Sequence, residues 1–291
     1  MDKNKNNIPV SALYTAATWA WAEIPCADLV TPGSAYTLFR WVNWGAWLYR
    51  LINPRYYSLR HQLLHRHTAI DYLLEHASCT RVVEVASGFS PRGSRMSARP
   101  QVDYVEVDLP DVIAAKRAQL QASSGGQEVL LRRNFHLKSG DITQLDFSKE
   151  FGGGSTAVIT EGLMMYFHRP EQMSIWQRIA AFLQENGGLY IFDYIPLSEE
   201  PQRSFMGQLL HRLRKHVFKW NYDFVYDDRD REGIISDLHR AGFSQVETFS
   251  TAEAAQRWKL PQASVATRTL IFKCRCDVLS PQDAASREVS L

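Results

Sequence analysis

The stretch from Arg81 to Asp108 constrains the fold of this chain more than any other. It begins with the apolar run RVVEVA and ends with the run DYVEVD. Neither run alternates cleanly between apolar and polar residues, which is typical of parallel strands covered on both faces. A strand, a glycine-containing turn, a short helical segment and a second strand ending in an acid form half of a nucleoside-binding βαβ unit. We therefore expect Gly88 beside a ligand and Asp108 or Glu106 on its ribose hydroxyls.

The turn departs from the dinucleotide-binding fingerprint. That fingerprint has three spaced glycines, and Ala86 stands where the first glycine would be. A nicotinamide-dependent dehydrogenase is disfavoured, because it would be expected to keep G-x-G-x-x-G. Support for a nucleoside site must then come from residues further along the chain.

Composition excludes some partners. The net charge of the 291 residues is +2, and their lysines and arginines do not gather in one block, so we predict no nucleic-acid partner. Four scattered cysteines fit reduced thiols and a cytoplasmic location. The N-terminus shows no signal-type apolar core, and no run approaches the length of a bilayer span, so we predict no membrane partner.

The N-terminal part is expected to be helical. Residues 1–9 are predicted to be a disordered tail. Residues 10–77, which contain five of the eight tryptophans, are predicted to form a helical cap that is buried against another element. The cap either covers the sheet or forms a lid over a ligand, with aromatic faces against a cation. A third interpretation is a helix that lies at a membrane surface. The polar face of the segment is not rich in lysine, which argues against this interpretation.

The remaining chain, residues 78–279, is predicted to be the core domain, followed by a loose tail at 280–291. Its strands and helices alternate, which predicts an α/β fold with a doubly wound, mostly parallel sheet. The last two strands lack an obvious crossover helix, which indicates an antiparallel hairpin at the edge. After the first two strands, the predicted strands are 135–142, 155–162, 189–196, 243–249 and 267–275. The predicted helices are 110–122, 170–186, 200–219 and 227–242, and SSGG at 123–126 is predicted to be a loop.

Polar residues fall at the predicted strand ends. The first four strands end at Gly88, Asp108, Asp141 and Glu161. Ligands of open parallel sheets bind beyond the carboxyl ends of the strands. The four residues therefore predict a binding site along one rim of the sheet.

Several motifs resemble one family. They are LHRHTAIDYLL, VVEVASGFSPRG, YVEVDLPDVIAAKR, GDIT, ITEGLMMYF and REGIISDLHRAGF, in this order over roughly residues 55–250. They are similar to the leucine carboxyl methyltransferase type of class I S-adenosylmethionine-dependent methyltransferases, a group that includes polyketide O-methyltransferases of the tetracenomycin type. The resemblance implies a Rossmann-like sheet of seven strands with a reversed last strand, an N-terminal helical cap and S-adenosylmethionine as cofactor.

The resemblance also implies residue roles. Arg66 would pair with the cofactor carboxylate, Asp108 would hold the ribose, Asp141 and Ile142 would border the adenine, and Glu161 would face the amino-acid end. Tyr166 would face the substrate pocket, and with Glu161 it forms the predicted catalytic pair. The candidate cofactor-binding residues are Arg66, Glu84, Gly88, Glu106, Asp108, Asp141, Ile142 and Glu161. No metal site is predicted, since His61 and His65 lack a nearby acidic third ligand.

Three functions remain open on the sequence. The first is methyl transfer to a carboxylate or hydroxyl of a small metabolite, in specialised metabolism. The second is cyclisation of the cofactor itself to azetidine-2-carboxylate and methylthioadenosine, for which a tryptophan-rich cap that folds the cofactor would be suited. The third is non-catalytic cofactor binding. The partner is thus a small acceptor or the cofactor itself, and the sequence specifies neither the acceptor nor the oligomeric state.

Overall fold

One sheet dominates the computed structural model, which describes residues 8–52, 59–196, 225, 229–258 and 269–278. Within these residues, seven strands form one sheet in the order β3-β2-β1-β4-β5-β7-β6. The strands are β1 (Arg81–Val85), β2 (Asp103–Asp108), β3 (Phe135–Ser139), β4 (Thr156–Thr160), β5 (Gly188–Tyr194), β6 (Gln245–Ser250) and β7 (Leu270–Arg275). The seven-stranded sheet confirms the predicted fold class.

The pairing of the strands shows which one is reversed. β1 pairs in parallel with β2 and β4, so that Val83 lies opposite Val105 on one side and Val158 on the other. β7 runs antiparallel to both of its neighbours, β5 and β6. The predicted reversal of the last strand is therefore confirmed. The predicted antiparallel pair of the last two strands at the edge is also found, with β6 outermost and β7 between β6 and β5.

Helices cover both faces of the sheet. They are α1 (Val10–Trp21), α2 (Ala27–Val30), α3 (Gly33–Ile52), α4 (Leu59–Glu75), α5 (Arg92–Met96), α6 (Pro110–Gln121), α7 (Ser124–Leu130), α8 (Phe147–Phe151), α9 (Arg169–Asn186), α10 (Arg231–Ala241) and α11 (Thr251–Trp258). Successive residues of β4 enter different cores: Val158 packs with Trp176 of α9, and Ile159 packs with Ile70 of α4. Burial on both faces explains why the strands lack alternation.

The N-terminal helices form a third apolar cluster. Tyr14 and Trp19 of α1 pack there with Phe39 of α3, and the rings of Tyr14 and Phe39 lie 5.4 Å apart. The expectation that the tryptophans of α3 are buried is wrong, because Trp41, Trp44 and Trp47 are exposed. Only one side of α3 packs in this cluster, and the tryptophans lie on the opposite, exposed side.

Two helices contradict the sequence-based assignment. SSGG is not a loop, because Ser123 caps α7 and its side chain accepts a hydrogen bond from the Gly126 N–H at 3.1 Å. A Cβ on Gly126 would overlap the Leu120 carbonyl, so the glycine allows α7 to begin against the end of α6. The second helix, α11, follows β6 directly, where no crossover helix was predicted. The predicted helix at 200–219, the predicted tail at 280–291 and residues 1–7 of the predicted tail at 1–9 lie outside the described residues.

Candidate functional site

The turn after β1 is joined to the end of β2. Its backbone is left-handed at Ala86 (φ 55°) and at Gly88 (φ 51°). The Gly88 N–H donates to Asp108 Oδ2 over 2.7 Å, and the Leu109 N–H donates to Oδ1 over 2.7 Å. Burial raises the pKa of Asp108, and these two hydrogen bonds oppose the rise. The carboxylate is therefore fixed at the rim by backbone donors.

Helix α1 covers part of this rim. A Cβ on Gly88 would lie 3.6 Å from the Cβ of Ala12, so the glycine turn is directly beneath α1. Further along the same helix, the Trp19 ring stacks on His67 of α4 with 4.2 Å between ring centroids. The described cap helix thus lies over the strand ends that the sequence marks as a site.

The end of β3 contributes Asp141 and Ile142. Asp141 is exposed, and its Oδ1 accepts hydrogen bonds from the Thr143 N–H at 2.9 Å and from the Thr143 hydroxyl at 2.8 Å. Ile142 is buried in the core, and its carbonyl accepts a hydrogen bond from Arg178 at 2.8 Å. The two residues lie next to Asp108, because the Gly140 N–H donates to the Asp108 carbonyl at 2.9 Å.

Glu161, directly after β4, is held by three cationic or polar groups. Its carboxylate lies 3.0 Å from Arg66 Nε, 3.0 Å from His67 Nδ1 and 2.7 Å from Arg92 Nη2. Burial alone would raise the pKa of Glu161, but His67, Arg66 and Arg92 outweigh it and hold the pKa well below its usual value. The side chain is therefore a fixed, ionised carboxylate.

Arg66 joins the ends of β4 and β5. Besides its bond to Glu161, its Nη1 donates to Asp193 Oδ2 over 3.2 Å. Asp193 also accepts the Gly162 N–H at 2.5 Å. Gly162 has φ 68°, and a Cβ there would lie 3.0 Å from Arg66 Nη2, so the absence of a side chain leaves room beside the guanidinium group.

Tyr166 and His168 follow in the chain. Tyr166 is half-buried at the end of a short 3-10 helix, Met164–Tyr166, and contributes to the electrostatic environment of Arg66. His168 is the N-cap residue of α9, and its backbone N–H donates to Glu171 Oε2 over 2.8 Å. The structure thus packs Tyr166 against the core that contains Trp176, and His168 begins a helix.

Arg92, which is fully buried in α5, is not among the site residues predicted from the sequence. It donates to Asp71 over 2.5 Å and to Glu161, and it also forms an ion pair with Glu84. One signal could have indicated it. An acid within a buried strand needs a cation, and Arg92 is the first arginine after Glu84 in the sequence.

Glu84 and Glu106 lie inside the fold and not at the rim. They are opposite each other on β1 and β2, and both are buried. Glu84 accepts a 2.8 Å hydrogen bond from the Tyr104 hydroxyl and pairs with Arg92, whereas Glu106 pairs with buried Lys116. Burial raises the pKa of Glu106 to about 7, against the opposing effect of Lys116. Both carboxylates are occupied within the protein, so Asp108 is the better-placed acid for a ligand.

Gly93 allows α5 to approach this pair. A Cβ at this position would overlap Glu106 Oε1 and the ring of Phe135. The second glycine of the turn is thus required for close packing of the helix on the sheet, which is the role of the last glycine in the dinucleotide fingerprint.

The chain is similar to known proteins over its central part. The family model for leucine carboxyl methyltransferase matches residues 49–180, which confirms the resemblance found in the motifs. A candidate S-adenosyl-L-methionine-dependent methyltransferase of Mycobacterium marinum is 27% identical over 200 residues, which are 64% of this chain and 62% of the relative. A candidate of the same class from Mycobacterium ulcerans is 27% identical over 182 residues, 59% of this chain and 57% of the relative. The chain spans about three fifths of the length of these curated relatives.

One solved structure with a similar chain path is a candidate O-methyltransferase from Nostoc punctiforme. It aligns with a TM-score of 0.49 and 14% sequence identity, over 74% of this chain and 58% of that chain.

Proposed function

We propose that this chain, whose residues 49–180 match the leucine carboxyl methyltransferase family, is an S-adenosylmethionine-dependent O-methyltransferase. Its proposed acceptor is a carboxylate or hydroxyl of a small metabolite in specialised metabolism. The observation that carries the proposal is the Asp108 carboxylate, which is fixed beside the Gly88 turn at the end of β2. In a βαβ nucleotide site, an acid at this position binds the ribose hydroxyls, and the glycine turn lies against the ligand.

The other rim residues fit the remaining polar groups of the cofactor. Glu161 is an ionised carboxylate, which suits the ammonium group of the methionine part. Asp141 with Ile142, beside Asp108, would border the adenine. Glu84 and Glu106 are left out of this assignment, because they are buried within β1 and β2, whereas Glu161 follows the end of β4 and is only partly buried.

Arg66 is the proposed partner of the cofactor carboxylate. Two of its nitrogens are bound to Glu161 and Asp193, which fixes the plane of the guanidinium group. The third, Nη2, lies beside Gly162, which has no side chain to fill the space next to it. A guanidinium in a fixed orientation suits a carboxylate ligand, since its donors are arranged as a planar fork.

The chain has a limited task in the reaction. When bound, S-adenosylmethionine supplies an electrophilic methyl group on its sulfonium. The residues of the site need to orient the acceptor behind that methyl group and exclude water, and α1 covers the rim where this would occur. Tyr166 is proposed to face the acceptor. A carboxylate acceptor needs no base, whereas a phenol would need one, and His168 is placed to cap α9. This placement favours a carboxylate.

The exposed tryptophans of α3 weaken the case for cofactor cyclisation. It rested on an aromatic cap closed around the cofactor, and Trp41, Trp44 and Trp47 are exposed on the outer side of α3. Trp19 is the cap tryptophan that lies near the rim, through its stacking on His67. We therefore retain cofactor cyclisation as an outcome of the test below and not as a second proposal.

We place this enzyme in the cytoplasm, with a small acceptor and without a nucleic-acid partner. Cys26, Cys79, Cys274 and Cys276 are unpaired thiols, which supports a reducing compartment. The net charge of +2 is far below the strongly basic balance that is typical of nucleic-acid-binding proteins.

A product assay tests the proposed reaction. The purified protein is incubated with S-adenosylmethionine, first alone and then with a panel of small carboxylic acids and phenols. A methyltransferase breaks the bond between sulfur and the methyl group, so we expect S-adenosylhomocysteine, formed slowly alone and faster with an acceptor. Methylthioadenosine with azetidine-2-carboxylate, formed above the spontaneous rate, would contradict the proposal. No measurable cofactor binding by the folded protein would contradict both enzyme interpretations.

A further inference from the structure

Helix α3 has an apolar face that no described residue covers. Its inner side packs on α1 through Ala35 and Phe39. On its outer side, Trp41 is 64% exposed, Trp44 58%, Trp47 57% and Leu51 65%. Residues three and four apart lie next to each other on a helix, so these side chains form one continuous surface. We define the α3 stripe as Trp41, Trp44, Trp47, Leu48 and Leu51.

The stripe contains many of the exposed large hydrophobic side chains among the described residues. The large hydrophobic residues that are exposed in the described part of the chain include all five members of the stripe and Tyr36 of the same helix. Single exposed hydrophobic residues are ordinary on protein surfaces, whereas a contiguous patch marks an interaction site. A helix that is apolar on both sides is expected to be covered on both sides.

The charge around the stripe indicates what covers it. From Leu29 to Ile70 the sequence contains no aspartate or glutamate, although the whole chain has 31 acidic residues. The same segment contains five arginines, at positions 40, 50, 55, 60 and 66. Arg40 is exposed on the outer side of α3, and the guanidinium of Arg60 lies 4.3 Å from the ring centroid of Trp21. Arg66 is neutralised by Glu161 and Asp193, so it does not add to this charge. Helix α3 itself contains no acidic residue, and exposed Arg40 gives its outer side a positive charge that attracts anions.

We propose that the α3 stripe docks the protein on the surface of an anionic phospholipid bilayer. Tryptophan and leucine on one side of a helix insert at the boundary between headgroups and acyl chains, and arginines beside them are attracted to anionic headgroups. A second copy of the chain fits less well, because two such faces would bring like charges together. The polar face is not rich in lysine, but arginine supplies the positive charge instead.

This association is peripheral. Among the helices of the described residues, none has the length and apolarity needed to cross a bilayer. The proposal departs from the expectation, made from the sequence, that the chain has no membrane partner. The proposal is independent of the reaction, because it depends only on the outer side of α3.

Vesicle co-sedimentation of the full chain tests the proposal. The probes are vesicles of phosphatidylcholine alone and of phosphatidylcholine with phosphatidylserine. We expect the wild-type protein to sediment with the anionic vesicles, and to do so less at high salt. The double variant Trp44→Ser/Trp47→Ser should partition at least about tenfold less, because two large apolar side chains no longer leave water.

Leu131→Ser is the matched control, since Leu131 is 82% exposed but lies at the end of α7, away from the stripe. It should bind vesicles as the wild-type protein does. Circular dichroism and thermal melting establish that each variant is folded. A folded wild-type protein that stays in the supernatant with both vesicle types would overturn the proposal. A dimer in solution that the double variant abolishes, without vesicle binding, would assign the stripe to a second copy instead.

Discussion

At the scale of single residues, Asp108 connects the sequence pattern to the site. Its two carboxylate oxygens accept the backbone N–H groups of Gly88 and Leu109, so the side chain holds the turn while it faces the rim. A ribose diol would donate to the remaining lone pairs of the same oxygens. Asp108 therefore combines a structural task with the proposed binding task.

The substitution Asp108→Ala should weaken the binding of S-adenosylmethionine. Loss of hydrogen bonds to a charged group costs on the order of 1.5–3 kcal/mol, which is roughly a tenfold to 150-fold weaker affinity. Isothermal titration calorimetry measures the change. Asp111→Ala is the control, since Asp111 is exposed three residues further along the chain and should leave affinity unchanged. Equal affinities in folded Asp108→Ala and wild-type protein would remove Asp108 from the site.

Ala86 shows why the missing glycine does not abolish the turn. An alanine in the left-handed region costs roughly 1–2 kcal/mol, and Ala86 has φ 55°. Hydrogen bonds on the residues that follow it hold the conformation, from the Ser87 N–H to the Val107 carbonyl at 3.3 Å and from the Gly88 N–H to Asp108. The sequence departs from the fingerprint at this position, but the backbone keeps the shape that the fingerprint describes.

At the scale of elements, α4 joins the cap to the sheet. Arg66 and His67 on this helix reach Glu161 after β4, and Arg66 also reaches Asp193 on β5. All of these side chains are buried or nearly so. The helix is thus fixed over the strand ends by charge pairs in addition to its leucines.

Arg66→Lys should reduce the stabilisation that the cofactor confers. An ammonium cannot reproduce a planar fork, so it cannot serve Glu161, Asp193 and a ligand carboxylate at once. Thermal melting with and without S-adenosylmethionine measures the effect, since a tenfold loss of affinity removes about 1.4 kcal/mol of ligand stabilisation.

Arg60→Lys, on the same helix, serves as the control for this experiment, because Arg60 contacts Trp21 and not the strand ends. Its cofactor-induced shift should equal that of the wild-type protein. A lower melting temperature of Arg66→Lys with an unchanged shift would mean that Arg66 is structural only.

Some elements could be predicted from the sequence and others could not, and the reason is physical. The β-branched runs of β1 and β2 and the capped helix α9 carry their own local signals, and their predicted boundaries agree with the structure within a few residues. Helix α7 contradicts its local signal, because Gly125 and Gly126 disfavour a helix. The close approach of Gly126 to Leu120 of α6 and of Gly125 to Leu29 of α2 favours glycine at these positions. The position of Arg92 depends on carboxylates that three other elements bring together, and single-sequence periodicity does not report such a cluster.

At the scale of the whole molecule, buried carboxylates divide into two groups. Burial raises the pKa of Glu106 to about 7 despite Lys116, whereas Glu161 has a pKa well below the usual value, because its cationic partners outweigh burial. The two groups affect stability in opposite directions. The contribution of Glu161 is present above its unfolded pKa and is lost in acid, as pH falls through the folded pKa. Glu106 binds its proton more tightly in the folded state, so its contribution is full below its unfolded pKa and is lost as pH rises toward 7.

The double variant Glu106→Gln/Lys116→Met should remove the second of these effects. Relative to the variant, the unfolding free energy of the wild-type protein should fall by up to about 3 kcal/mol between pH 4.5 and about 7, since one pKa unit corresponds to about 1.4 kcal/mol. Urea unfolding at a series of pH values measures the difference. Glu128→Gln, at an exposed position, should show no such trend. A double variant with the same pH dependence as the wild-type protein would refute this assignment.

The position of β7 has a consequence for the order in which the protein can be completed during synthesis. β6 pairs with β7 only, and β7 begins at Leu270, twenty residues after β6 ends at Ser250. At roughly 5–20 residues per second, the ribosome needs about one to four seconds to make that segment. During this interval the nascent chain carries the residues of β6 without the only strand they pair with, and β5 has an open edge. β7, the last strand in the described part of the chain, therefore completes the sheet and attaches β6, which is made before it.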